Sequence, residues 1–175
     1  MPNQISLGQR GLSWTICFSS ARLSFTFPLA NWIRALASRS NALIDAADSS
    51  RVYAATETGV YKSVNAGLTF SPSSMGLPSG VPVNDIARMT DVPSYLYVGL
   101  RGQGVYESDD FAATWHAFGP ALPGDNDVRA ILATFEPDTA HVFVGTRADG
   151  LFEAQIDATT QNRPTTWGRL KDRFR

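Results

Sequence analysis

The chain has 175 residues, 43% hydrophobic and 18% charged, so it carries enough apolar material for a packed core and is not a disordered segment. Its formal net charge is −1 with a pI of about 6.1, and no basic stripe stands out, which excludes nucleic acid as a partner. No run reaches the roughly 18 apolar residues of a membrane-spanning helix, and the lone Cys17 with two isolated histidines, His116 and His141, predicts no disulfide, no metal site and no cofactor.

The first segment, 1–32, contains Leu12–Leu29 (LSWTICFSSARLSFTFPL), apolar in pieces and interrupted by Ser19, Ser20 and Arg22. It reads as strand material rather than a signal peptide, because the basic stretch before it is thin. It is either the degenerate edge of a preceding structural unit or an N-terminal extension.

From residue 33 onward the chain repeats. Gly59-Val60-Tyr61-Lys62-Ser63 returns as Gly104-Val105-Tyr106-Glu107-Ser108 and again as Gly150-Leu151-Phe152-Glu153-Ala154. Upstream of each, Val52–Thr56 matches Leu96–Leu100 and Val142–Thr146. Leu77-Pro78 maps to Leu122-Pro123, and Ile33-Arg34-Ala35-Leu36 corresponds to Val83–Ile86 and Val128–Ile131. Several blocks recurring in order define three units, 33–82, 83–127 and 128–170, followed by a basic tail, 171–175.

Each unit predicts four short strands, rich in Val, Ile, Tyr, Phe and Thr and bounded by turn residues. The first strand is expected at Ile33–Ser38, Val83–Met89 and Val128–Thr134. The second lies at Arg51–Thr56, Tyr95–Leu100 and His141–Thr146. The third lies at Gly59–Ser63, Gly104–Ser108 and Gly150–Ala154, and the fourth starts near Thr69, Thr114 and Thr166. Four short antiparallel strands at a spacing of about 45 residues is the period of a β-propeller blade. The predicted fold is therefore all-β, with about three blades and a fragment. Three units fall short of the roughly 4–8 blades of a closed ring. The sequence thus reads as a piece of a longer propeller, a truncated product, or a half that pairs with a second copy, and the blades at its two ends are expected to present apolar faces.

The turn after the third strand carries the most specific pattern. It reads Ser63-Val64-Asn65-Ala66-Gly67-Leu68-Thr69-Phe70 in the first unit and Ser108-Asp109-Asp110-Phe111-Ala112-Ala113-Thr114-Trp115 in the second. A short amide or carboxylate in such a turn accepts backbone N–H bonds, and the aromatic residue pins the turn to the core. The pattern resembles the Asp-box, S-x-D-x-G-x-T-W, of bacterial neuraminidase-type repeats, found in sialidases, xyloglucan-cleaving glycosidases, sortilin-type receptors and photosystem II assembly factors. Asn65 and Phe70 depart from it in the first unit and Ala112 in the second. The third is interrupted, with Thr165-Thr166-Trp167 following a longer loop, and a fainter trace lies at Gly11-Leu12-Ser13-Trp14.

The resemblance implies that Ser63, Asn65, Gly67, Thr69, Phe70, Ser108, Asp110, Thr114 and Trp115 are structural. It implies a ligand-binding end formed by the loops opposite the boxes, with Arg34, Glu57, Arg101, Asp125, Asp127, Arg129, Arg147 and Asp149 as its candidates. Arg101 and Arg147 occupy equivalent repeat positions, and so, by the Ile33/Val128 correspondence, do Arg34 and Arg129. Sialidases hold a carboxylate with clustered arginines, but no acid–nucleophile pair accompanies these. Asp125 and Asp127 supply too few oxygens for the 6–8 ligands of calcium. The implied function is a non-catalytic binding or scaffolding module, with a fragment of a sialidase- or xyloglucanase-type hydrolase as the alternative. Its expected partners are the remaining blades or a second copy, and a carbohydrate or protein ligand. The resemblance implies an extracellular or periplasmic setting.

Overall fold

The computed structural model describes residues 41–89, 91–136, 138–157 and 166–170, together with the backbone of 13–18 and 21–26. No α-helix occurs among the described residues, which form fourteen strands. The N-terminal pair, β1 (Ser13–Phe18) and β2 (Ala21–Thr26), is an antiparallel hairpin with Phe18 opposite Ala21.

Three four-stranded antiparallel sheets follow, each built from strands consecutive in sequence. The first comprises β3 (Asn41–Ile44), β4 (Val52–Thr56), β5 (Gly59–Ser63) and β6 (Ser71–Pro72). The second comprises β7 (Val83–Arg88), β8 (Leu96–Leu100), β9 (Gly104–Ser108) and β10 (His116–Ala117). The third comprises β11 (Val128–Glu136), β12 (Thr139–Thr146), β13 (Leu151–Asp157) and β14 (Gly168–Arg169).

One expected strand is displaced. The strand that pairs with β4 is Asn41–Ile44, with Asn41 opposite Ala55, and not Ile33–Ser38. The repeat period explains the difference. Asp85 and Ala130 stand opposite Gly99 and Gly145, the counterparts of Ala55, so Asn41 is their equivalent. Ile33 would require a much longer link between first and second strands. That link is instead the tight turn Asp45–Arg51, in which Asp45 Oδ1 accepts the Ala47 N–H at 2.9 Å and Asp48 Oδ1 accepts the Ser50 N–H at 3.1 Å. Arg34 lies outside the described residues.

The sheets stack face to face through two apolar clusters, and strand alternation assigns each side chain to one of them. Leu96, Val98 and Leu100 join Tyr53, Ala55 and Val60 of the first sheet, with Val83, Ile86 and Trp115. Tyr97, on the opposite face of β8, joins Val128, Ile131, Val142, Val144 and Phe152 of the third sheet. Every residue of β8 is therefore buried, whereas β12 alternates between buried and half-buried positions. The Tyr53 and Tyr97 hydroxyls lie buried without a hydrogen-bond partner among the described residues. Burial raises both phenols, Tyr53 to about 12.

Candidate functional site

Because first and third strands run in the same direction, each sheet has two chemically distinct ends. One end holds the turns after the first and third strands, and the other holds the turns after the second strand and the links between sheets.

At the first end the polar groups serve the turns themselves. Asp110 Oδ1 accepts the Ala113 and Thr114 N–H groups at 2.8 and 2.9 Å, and the Thr114 hydroxyl donates to Oδ2 at 2.6 Å. Ser108 Oγ donates to Asp110 at 2.8 Å and accepts the Ala112 N–H at 2.9 Å. Burial alone would raise the Asp110 carboxyl, but these hydrogen bonds outweigh it and hold it down at about 2. In the first sheet Asn65 plays the same part. Its Oδ1 accepts the Thr69 N–H at 2.9 Å, and its amide donates to Thr69 Oγ1 at 2.8 Å. Gly67 has φ of 84°, and Ala112 holds the matching left-handed conformation at 65°.

The aromatic residue that closes this turn reaches back to the preceding sheet. Trp115 is 1% exposed, and its indole N–H donates to the Ser73 carbonyl at 2.8 Å. Trp167 repeats this contact one sheet later, donating to Pro120 O at 2.9 Å and meeting Phe118 edge-on at 5.8 Å. The tryptophan contact thus persists where the rest of the motif is interrupted. Phe70 is half-buried and belongs to neither apolar cluster.

Ion pairs also hold this end, and the sequence reading missed them. Asp45, fully buried, bridges Arg51 at 3.0 Å and Arg88 of the second sheet at 3.3 Å. Arg51 also lies over the Phe111 ring at 4.2 Å, and Lys62 Nζ donates to Phe111 O at 2.7 Å. The available signal was the position of Asp45 and Arg88 at the ends of matching first strands.

At the opposite end the repeat brings Glu57, Arg101 and Arg147 into equivalent places, each directly after its second strand. The Arg101 and Arg147 amides are fixed alike, donating to Pro82 O at 3.0 Å and Asp127 O at 2.9 Å, the carbonyls just before their first strands. Arg129 reaches the same region by another device. The ladder slips between Val128 and Ala130, as it does between Val83 and Asp85, and a bulge of this kind re-aims the extra side chain. In the second sheet that residue is Asn84, which donates to Val128 O at 2.6 Å and so ties two sheets together. In the third it is Arg129, paired with Asp127 at 2.7 Å. Glu57, Arg101, Arg129 and Arg147 line one open depression of about 680 Å³. Glu57, Arg101 and Arg147 are exposed and make no ion pair among the described residues.

The remaining acidic candidates at this end hold the loops. Asp125 Oδ1 accepts the Asp127 N–H at 3.0 Å, and Asp149 Oδ2 accepts the Asp125 N–H at 3.2 Å. Gly124, at φ of 101°, lies where any Cβ would strike the Asp149 carboxylate. Asp85, at the matching slip in the second sheet, is likewise structural. Its carboxylate takes the Asn41 amide and the Ile86 and Ile131 N–H groups, bridging three first strands.

No family model matches this sequence, and neither does any curated protein. Solved structures do. An ancestral GH74 enzyme aligns over 90% of this chain and 22% of its own length, at 19% identity and a TM-score of 0.58. The GH74 xyloglucanase from Xanthomonas campestris aligns over 73% of this chain and 20% of its own, at 18% identity and a TM-score of 0.52. A YCF48 structure bound to D1 peptide aligns over 75% of this chain and 43% of its own, at 14% identity and a TM-score of 0.50. These likenesses show the fold, a β-propeller type with an open series of blades, and this chain spans less than half of each of these three proteins.

Proposed function

We propose that this chain is a non-catalytic propeller repeat module of the Asp-box type, and that it binds an acidic peptide segment at the end bearing Arg101, Arg129 and Arg147. The observation that carries this reading is the convergence of Arg101 and Arg147 on one depression with no carboxylate among the described residues paired to either. Guanidinium groups present planar pairs of donors that suit carboxylates. Glu57, at the first-sheet end, repels like charge, so an anionic group sits toward Arg101 and Arg147. The fold shared with a protein bound to a peptide agrees with a peptide ligand.

The likeness to GH74 enzymes favours the alternative, a fragment of a glycoside hydrolase. Hydrolysis by the common retaining or inverting routes needs two carboxyl groups flanking the bond. Glu57 is the one carboxylate among the described residues lining the depression.

A labelled tetraglutamate peptide, titrated at low and high salt, tests the proposal. Binding that weakens with salt and is lost in the Arg101→Ala/Arg147→Ala double variant is expected, with fluorogenic sialosides and xyloglucan oligosaccharides hydrolysed only at background. Turnover that disappears in Glu57→Gln would overturn it in favour of the hydrolase.

A further inference from the structure

The two sheet–sheet interfaces are made in the same way, and the third sheet carries the features of another. The strand registers place Leu132 at the position of Ala87, Phe143 at that of Tyr97, Leu151 at that of Val105 and Gly145 at that of Gly99. In the second sheet Ala87, Tyr97 and Val105 are buried within the cluster shared with the third. In the third sheet Leu132 and Leu151 are 57% and 48% exposed, and Phe143 is half-buried.

Gly99 forms a socket in the existing interface, because Val128 Cγ1 occupies the space that a Cβ there would need. Gly145 is the matching socket, and a Cβ on it would meet only Ala130 of its own sheet, at 3.7 Å, among the described residues.

We propose that this face of the third sheet is a docking surface for a further four-stranded sheet joined in tandem, whose first strand places a β-branched side chain against Gly145. The required pattern is that of β7 and β11, Val83-x-x-Ile86 and Val128-x-x-Ile131, in which both apolar residues turn toward the preceding sheet. A tandem sheet fits better than a second copy of the chain. Two copies back to back would set Gly145 against Gly145 and leave both sockets empty. A copy packed head to tail would have to offer the outward face of β4, where Val52, Ala54 and Thr56 are already buried. Both existing interfaces are formed by the sheet next in sequence, after links of equal length, 73–82 and 118–127. Contiguous apolar faces of this kind mark interaction surfaces, and stacked repeats bury them against the next unit.

This inference does not depend on the peptide reading. Its test is the full chain lengthened after Arg175 by a second copy of residues 79–117, so that 170–175 with 79–82 give a link as long as 73–82. The lengthened chain is expected to melt in a single transition at higher temperature than the 175-residue chain, with the appended segment protected from protease. Gly145→Val and Leu132→Glu are expected to cancel both changes without shifting the midpoint of the 175-residue chain. An appended segment that stays protease-sensitive with the melting temperature unchanged would overturn the proposal, as would a gain that survives Gly145→Val. A dimer of the 175-residue chain that Leu132→Glu dissolves would also overturn it, in favour of a second copy.

Discussion

The two ends of the sheets are built from the same kinds of residue and differ in what they do with their cations. At the end with the Ser63 and Ser108 turns, carboxylates and cations satisfy the fold. Asp110 binds its own turn, Asp45 holds Arg51 and Arg88, and Lys62 donates to the Phe111 carbonyl. At the other end Arg101 and Arg147 stand after equivalent strands with their guanidinium groups in solvent. Internal bonds at the first end fix the geometry of the sheets, and that geometry brings together at the second two arginines that make no ion pair among the described residues. Substitutions in the turns of the first end should therefore cost stability, and those of Arg101 and Arg147 at the second should cost binding.

The largest effect is expected at Trp115. Trp115→Ala removes a buried indole and its bond to Ser73, and should cost about 3–5 kcal/mol. Trp167→Ala should cost less, because Trp167 is partly exposed. Denaturant midpoints of the two variants read this directly, and equal shifts would break the comparison between the interrupted and intact turns.

Asp110→Ala should cost about 1 kcal/mol, since solvent reaches the turn and screens the charge. Asp110→Asn should restore most of it, because Asn65 already makes the equivalent bonds in the first sheet. The Asp110 carboxyl is lowered from its ordinary 3.8 to about 2. Its contribution is complete above the ordinary value and is lost as the pH falls toward 2. Acid unfolding of Asp110→Asn should accordingly begin at lower pH than that of the parent chain.

Ala112→Gly should have the smallest effect on this end. Relief of the left-handed backbone is worth about 1–2 kcal/mol. Loss of a buried methyl and the greater freedom of unfolded glycine cost similar amounts, about 0.8 and 0.5–1 kcal/mol. A net change within about 0.5 kcal/mol in chemical denaturation is the expected balance.

Much of this division was legible in the sequence. The period near 45 residues and the Gly59, Gly104 and Gly150 positions placed the second and third strands, because strand pairing and turn chemistry are local. Alignment of the units also set Arg101 and Arg147 in equivalent places. Ile33-Arg34-Ala35-Leu36 misled because its composition imitates Val128-Arg129-Ala130-Ile131, while the true first strand, Asn41–Ile44, is shorter and less β-branched. The loop roles of Asp125, Asp127 and Asp149 were hidden because a carboxylate bound to backbone looks, in sequence, like one free for a ligand. The Asp45–Arg88 bridge depends on side chains 43 positions apart meeting across two sheets, which the repeat alone does not specify.

The division between the ends is tested most directly by side-chain and backbone NMR of the chain titrated with tetraglutamate. The account predicts shifts in the Arg101 and Arg147 Nε–Hε resonances, with the amides of Ala112–Trp115 and Thr69 unmoved. Shifts concentrated in those turn amides, with both arginine resonances stationary, would contradict it.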